Sequence, residues 1–261
     1  MDFRHTESEL NAVIISDSYL KYYYFHCDQI VGNTIQLGTH VHNLDDGTSL
    51  NHLVFNNQSK GGNTINQVLN NSGFIYSWAE NLPNITIVHL GACDIANQEI
   101  DNTKEYKTKI LNLMESLTTL GRKHLENNEN KIKEFDTKMT NHRFLLIGVP
   151  DWGEFGDGKY DHSLNGDQYR QLRRKINSTL NNIRSHIWHD YKAAVFTPDM
   201  ANAKRVGVHL DSKTSSSEYS SQIAKAAARL VCTRCNFNSS YDKNQHKHDS
   251  LLEPCIEQAQ P

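Results

Sequence analysis

Five short apolar runs divide the chain at spacings that suit buried strands. Four are clear and one is weaker; in chain order they occupy residues 12–15, 52–55 (the weaker run), 85–90, 144–149 and 193–197. Continuous apolar runs of this length are typical of strands that a parallel sheet buries on both faces. Segments with helical periodicity lie between them. This alternation predicts an α/β fold, a three-layer α/β/α sandwich with a mostly parallel five-stranded sheet.

Three amphipathic stripes predict the main helices, because apolar side chains three and four residues apart share one helix face. The stripes are Ile110, Leu113, Met114, Leu117 and Leu120; Tyr169, Leu172, Ile176, Leu180, Ile183 and Ile187; and Tyr219, Ile223, Ala227 and Leu230. The charged segment 126–138 predicts a solvated helical extension or a loop. We therefore predict a leader over residues 1–10, one domain over 11–231 and a polar, disordered tail over 232–261.

Composition narrows the classes of partner. With 27 basic and 30 acidic side chains the net charge is -3, so no global field attracts nucleic acid or an anionic membrane. No apolar stretch reaches the ~20 residues that a membrane-spanning helix needs, and the first residues lack the order of a signal peptide. Five scattered cysteines, an odd number, favour reduced thiols. We expect a soluble, intracellular monomer that binds neither membranes nor nucleic acid.

The chemistry of a parallel sheet gathers at the carboxyl ends of its strands. The first apolar run ends in Ser16-Asp17-Ser18, and a serine on the turn after a strand can present its hydroxyl at the sheet edge. Such a hydroxyl needs a base, and His209, which follows the last strand and precedes the last helix, is the candidate. The alternatives are that Ser18 caps the first helix and that His209 is an ordinary loop histidine, one of 14 in the chain.

Four sequence blocks in this order resemble those of the SGNH/GDSL hydrolases, over residues 12 to about 231. They are Ser16-Asp17-Ser18, Gly61-Gly62-Asn63-Thr64-Ile65, His89-Leu90-Gly91-Ala92-Cys93-Asp94 and Gly207-Val208-His209-Leu210. The blocks are also similar to esterase-like domains of some animal retroelements and related invertebrate proteins. The resemblance implies a flavodoxin-like sheet and hydrolysis of a small acyl or acetyl ester, or of an acylated sugar, without a cofactor or metal.

The resemblance also implies a role for each matched residue. Ser18 is then the nucleophile and His209 the base, while the backbone N–H groups of Ser18 and Gly62 hold the oxyanion. The pocket is expected to include Asp17, Asn63, Cys93 and Asp94, which lie within the same blocks.

Three positions depart from the family pattern. Cys93 stands where the family has an asparagine that donates to the oxyanion, and losing such a donor costs about 2.7 to 4 kcal/mol of transition-state stabilisation. Val206 stands where the family has the aspartate that orients the histidine, a task that falls to Asp199 or to a backbone carbonyl. Ser16 stands where the family has glycine. A degenerate binding module that has lost turnover, or an accessory protein of a mobile element, is therefore the alternative function.

The polar tail carries the only other candidate chemistry. Thiols and an imidazole at Cys232, Cys235, His248 and Cys255 could together close a tetrahedral zinc site. One Cys-x-x-Cys pair with loose spacing is weak evidence for such a site. A tail with incidental thiols and no metal is the favoured interpretation. Cys93 is expected to be a small buried apolar residue rather than a second nucleophile or a redox group.

Overall fold

The computed structural model describes residues 10–17, 19–20, 27–32, 34–37, 40–43, 50–150, 166–199, 205–206, 209–210 and 214–231. Within residues 27–52, 205–209 and 214–217 this description covers the backbone alone. Ser18, most of the predicted leader and the whole predicted tail with its candidate zinc ligands Cys232, Cys235, His248 and Cys255 lie outside the described residues.

The apolar runs form the expected strands and the periodic segments form helices. The strands are β1 (Leu10–Ser16), β2 (Cys27–Gly32), β3 (Thr34–Leu37), β4 (His40–Asn43), β5 (Leu50–Asn57), β6 (Ile85–His89), β7 (Arg143–Ile147), β8 (Ala193–Phe196), β9 (Arg205–Val206) and β10 (His209–Leu210). The helices are α1 (Ile65–Leu69), α2 (Ser72–Glu80), α3 (Ala92–Ala96), α4 (Thr103–His124), α5 (Glu129–Asn141), α6 (Gly166–Tyr191) and α7 (Thr214–Val231).

Five parallel strands form the centre of the sheet, in the order β5-β1-β6-β7-β8. Helices α7 and α6 pack on this sheet, α7 against β6, β7 and β8 and α6 against β8, while α4 contacts α1, α2 and α6. The predicted α/β sandwich with five parallel strands is confirmed. Because all five strands run in one direction, the ends of β1, β5 and β6 lie at one edge of the sheet.

The stretch between the first two parallel strands differs from the prediction. A helix was expected directly after β1, but the described residues there form β2, β3 and β4, which extend the sheet beyond β5 as antiparallel strands. Turn-forming pairs, Gly32-Asn33 and Gly38-Thr39, separate short runs that contain β-branched residues, which favours hairpins over a helix. Ser18 and residues 21–26 lie outside the described part of the chain, so the alternative role of Ser18 as a helix cap stays a prediction.

The helical stripes face the core as predicted, with Leu172, Ile183 and Leu230 only partly buried against it and with one exception. Leu120 is 44% exposed, although Leu117 one turn earlier is fully buried. The inward face of α4 passes instead through Gly121, where an added Cβ would lie 2.8 Å from that of Ala79. Backbone contact with α2 therefore takes the place of a side chain at that turn. Segment 126–138 contains most of α5, whose Phe135 is buried against Trp78.

Two further findings apply to the described residues. None of their helices is both long and apolar enough to cross a membrane. They contain no group of three or more histidine, cysteine or acidic side chains that could hold a metal ion.

Candidate functional site

The turn after β1 is held on both sides of position 18. The carbonyl oxygen of Ser16 accepts hydrogen bonds from the backbone N–H of Lys60 at 3.0 Å and from the Asn63 side chain at 3.4 Å. On the other side, Asn57 at the end of β5 donates to the carbonyl oxygen of Leu20 at 2.7 Å. The loop after β5 thus holds the residues on both sides of the predicted nucleophile. Asn63 and Ser16, which bond to each other, are 47 positions apart in the sequence.

The predicted oxyanion loop has a local reason for its glycine. Gly62 has φ +72°, in the left-handed region, and no atom lies within 4 Å of an added Cβ, so the backbone conformation rather than space favours glycine. Among the described residues its N–H has no hydrogen-bond acceptor. The loop ends in a capping box in which Thr64 accepts from the Gln67 N–H and Gln67 accepts from the Thr64 N–H, so α1 begins at a fixed point.

A second glycine shapes the end of β6. Gly91 has φ +119°, and an added Cβ would lie 2.7 Å from Tyr106 and 3.0 Å from Val149. Only glycine fits this turn, which leads into α3. The carboxylate of Asp94 accepts the Ile65 N–H at 3.0 and 3.2 Å and so joins the end of β6 to α1. Three of the four sequence blocks therefore meet at one edge of the sheet.

Buried acidic groups lie directly beside position 18. Asp17 is 1% exposed; its Oδ1 accepts the Tyr19 N–H at 2.8 Å, while Oδ2 has no well-formed hydrogen bond among the described residues. Burial raises the pKa of Asp17 to about 7, the Tyr19 hydrogen bond opposes this rise, and the nearby charge of Asp94 adds to it. Burial likewise raises the pKa of Asp94 to about 6. The edge of the sheet thus holds carboxyl groups that titrate near neutral pH.

Cys93 is buried next to these carboxyl groups as a free thiol. Burial raises the pKa of the thiol well above its usual range, and the charges of Asp17 and Asp94 raise it further. The thiol is therefore protonated at neutral pH. This agrees with the prediction of a small buried apolar residue and argues against a second nucleophile, since the thiolate is the reactive form.

Solved structures with this architecture include esterases. A protein from Agrobacterium tumefaciens str. C58 assigned as an arylesterase superposes with a TM-score of 0.51 at 13% identity, over 85% of this chain and 99% of that chain. The native aryl esterase of M. smegmatis superposes with a TM-score of 0.50 at 11% identity, over 85% of this chain and 98% of that chain. This chain has the SGNH/GDSL hydrolase fold. No family model and no curated protein matches the sequence.

The described part of the fourth block, His209–Leu210, forms β10, which pairs antiparallel with β9. The backbone of His209 in β10 pairs with that of Val206 in β9, so the family's histidine and aspartate positions are directly opposite each other. The His209 side chain is outside the described part of the chain, and its role as base stays a prediction. Asp199 is exposed, and its backbone N–H and carbonyl both bond to the Gln222 side chain of α7, at 2.8 and 3.0 Å. Its role toward His209 also stays a prediction.

The sequence reasoning missed a buried polar network beneath the candidate site. His89 Nδ1 lies 3.1 Å from Ser16 Oγ, and His89 Nε2 lies 2.5 Å from the hydroxyl of Tyr219. Tyr219 was predicted only as an apolar helix residue, and no sequence spacing relates residues 73 and 130 positions apart. The available signal was a histidine closing the otherwise apolar strand β6.

The Ser16–His89 contact does not form a second catalytic pair. Ser16 is fully buried and His89 is 1% exposed, so a substrate carbonyl has no access to the Ser16 hydroxyl. Burial lowers the pKa of His89 to about 3, which makes the imidazole a poor proton acceptor near neutral pH. The contact is therefore structural.

Proposed function

We propose that this chain is a serine-dependent carboxylic ester hydrolase in which Ser18 is the nucleophile and His209 the base. The observation that carries the proposal is the meeting of three distant sequence blocks around position 18. Asn63 bonds to the carbonyl of Ser16, and Asp94 bonds to the N–H of Ile65. The Gly62 N–H, which lacks an acceptor among the described residues, belongs to the same loop as Lys60 and Asn63, and the bonds of these two residues to the carbonyl of Ser16 support the proposal.

The reaction uses two transfers at the same serine. Ser18 Oγ attacks the ester carbonyl while His209 takes the hydroxyl proton, and the N–H groups of Ser18 and Gly62 hold the oxyanion. The tetrahedral intermediate collapses, the alcohol leaves with the proton from His209, and an acyl-enzyme remains. Water then attacks this ester while His209 takes its proton, and the second tetrahedral intermediate collapses as His209 returns that proton to Ser18 Oγ and the acid is released. A small acyl or acetyl ester, or an acylated sugar, is the proposed substrate.

Hydrolysis of a short acyl ester tests the proposal. The purified chain should hydrolyse it, and Ser18→Ala should reduce the rate to that of the buffer. Ser178→Ala, on the exposed side of α6, is the matched control and should keep the full rate. Equal rates for the parent chain and Ser18→Ala would remove Ser18 from the mechanism.

A binding module that has lost turnover is the second candidate. The observation behind it is Cys93: its buried, protonated thiol is a weak donor at the position of the family's oxyanion asparagine. Position 206, directly opposite His209, carries valine in place of the aspartate. A Cys93→Asn, Val206→Asp double variant that gains activity from an inert parent would support this candidate, and robust parent activity would exclude it.

A further inference from the structure

His89 is the centre of a buried cluster that contains Ser16, Tyr19 and Tyr219. Besides its two hydrogen-bond contacts, the His89 ring stacks on Tyr19 with centroids 5.5 Å apart and an interplanar angle of 22°. Tyr219 meets the edges of both rings, at 5.5 Å from Tyr19 and 5.8 Å from His89. None of the four side chains is more than 2% exposed. His89 thus touches residues on both sides of position 18.

The cluster joins the two elements that carry the proposed nucleophile and base. Ser16 ends β1 and Tyr19 lies in the turn after it, whereas Tyr219 belongs to α7, which begins at Thr214 shortly after His209 in β10. His89 itself closes β6, the neighbour of β1 in the sheet. The ring therefore connects the turn to α7 through the end of a central strand.

The hydrogen bonds of the cluster have a defined direction. A neutral imidazole has one N–H and one acceptor nitrogen, and burial keeps His89 neutral. The phenol is the stronger acid of the two hydroxyls, so we assign the Tyr219 O–H as donor to Nε2 and the Nδ1–H as donor to Ser16 Oγ. Removing either hydroxyl leaves a buried polar nitrogen without its partner, which costs more than the bond itself gains.

We propose that His89 is a positioning residue, which fixes the turn of Ser18 against α7 through Ser16, Tyr19 and Tyr219. This inference rests on the proposed role of Ser18. Ser16 stands where the family pattern has glycine, and its hydroxyl is directed at His89. A glycine there could not make this contact, so the bridge belongs to this chain and not to the general pattern.

Two conservative variants and their combination test the inference. Tyr219→Phe and Ser16→Ala each remove one hydroxyl and keep the neighbouring packing. In the full chain we measure the rate of fluorophosphonate labelling of Ser18 and the amide exchange of residues 16–20. Each variant should slow labelling by about tenfold or more, because small displacements of reacting groups are costly. Exchange in the turn should become faster, and the double variant should be little slower in labelling than the worse single one.

Thr86→Val is the matched control. Thr86 lies in β6, three residues before His89, and is fully buried. Its hydroxyl accepts a 2.9 Å hydrogen bond from Trp78. It should lose stability without slowing the labelling or loosening the turn. Wild-type labelling rates in folded Tyr219→Phe and Ser16→Ala, or an equal loss in Thr86→Val, would overturn the inference. If Ser16→Ala fails to fold, Tyr219→Phe alone decides. If the parent chain is not labelled at all, the proposed function is refuted. The positioning role is then judged by amide exchange alone, and unchanged exchange of residues 16–20 in the two variants would refute it.

Discussion

Replacing Asp17 by asparagine should make the protein more stable at alkaline pH. The asparagine keeps an oxygen that can accept the Tyr19 N–H, and it removes a charge that burial disfavours. Because the folded pKa is raised from 3.8 to about 7, the folded state binds more protons than the unfolded state between these values. The wild type therefore loses stability as the pH rises through this window, by roughly 2.5 kcal/mol between about pH 5 and about pH 8.

Urea unfolding at these two pH values, followed by tryptophan fluorescence to which the buried Trp78 contributes, measures the effect. Asp17→Asn should resemble the wild type at the lower pH and exceed its free energy of unfolding at the higher pH by roughly 2.5 kcal/mol. Asp136→Asn is the control: its partner Arg122 lowers the pKa of this exposed carboxyl, so the difference from wild type should be the same at both values. An Asp17→Asn difference that does not change with pH would refute the reasoning.

Three other substitutions or labels test the packing around the site. Gly91→Ala should lower the free energy of unfolding by roughly 2 to 4 kcal/mol, because φ is positive there and the added Cβ would overlap its neighbours. Gly73→Ala in α2, where the added Cβ has ordinary space, should be neutral or stabilising. Cys93 should resist iodoacetamide in the native protein and react in urea; labelling of the native thiol would contradict its burial. Phe135→Ala should lower the free energy of unfolding by about 3 to 5 kcal/mol and exposed Leu120→Ala should hardly change it. Equal losses in the two variants would contradict the packing of α5 through Phe135.

The parallel strands of the core can be predicted from the sequence, whereas the added antiparallel strands are hard to predict. The runs that became β1, β6, β7 and β8 are continuous and apolar because the sheet buries β6, most of β7 and the last residues of β1 on both faces, and β8 fully on one face and partly on the other. β2, β3 and β4 mix apolar residues with Gln, Asn, Thr and His, so no run stands out. Strands of that composition are recognised by their turns and their pairing partners. Because the pairing of β2 with β5 forms only in the folded domain, the sequence does not show it.

The same division applies to the site. The proximity of Asp17, Gly62, Asn63, Cys93 and Asp94 could be predicted because each lies in a short block directly after a parallel strand, whereas their roles stay predictions. Their contacts with one another, and the pKa shifts that follow from burial, depend on the packing of the whole domain. The His89 network is the extreme case, because its three hydrogen-bonded members, Ser16, His89 and Tyr219, come from β1, β6 and α7.

Labelling with a fluorophosphonate probe, followed by mass mapping of the modified peptide, tests the central claim most directly. An activated serine in an oxyanion-binding site reacts with this probe, whereas an ordinary serine does not. The account predicts one modified residue, Ser18, and loss of labelling in His209→Ala. Absence of labelling, or modification of another serine with Ser18 intact, would contradict the account.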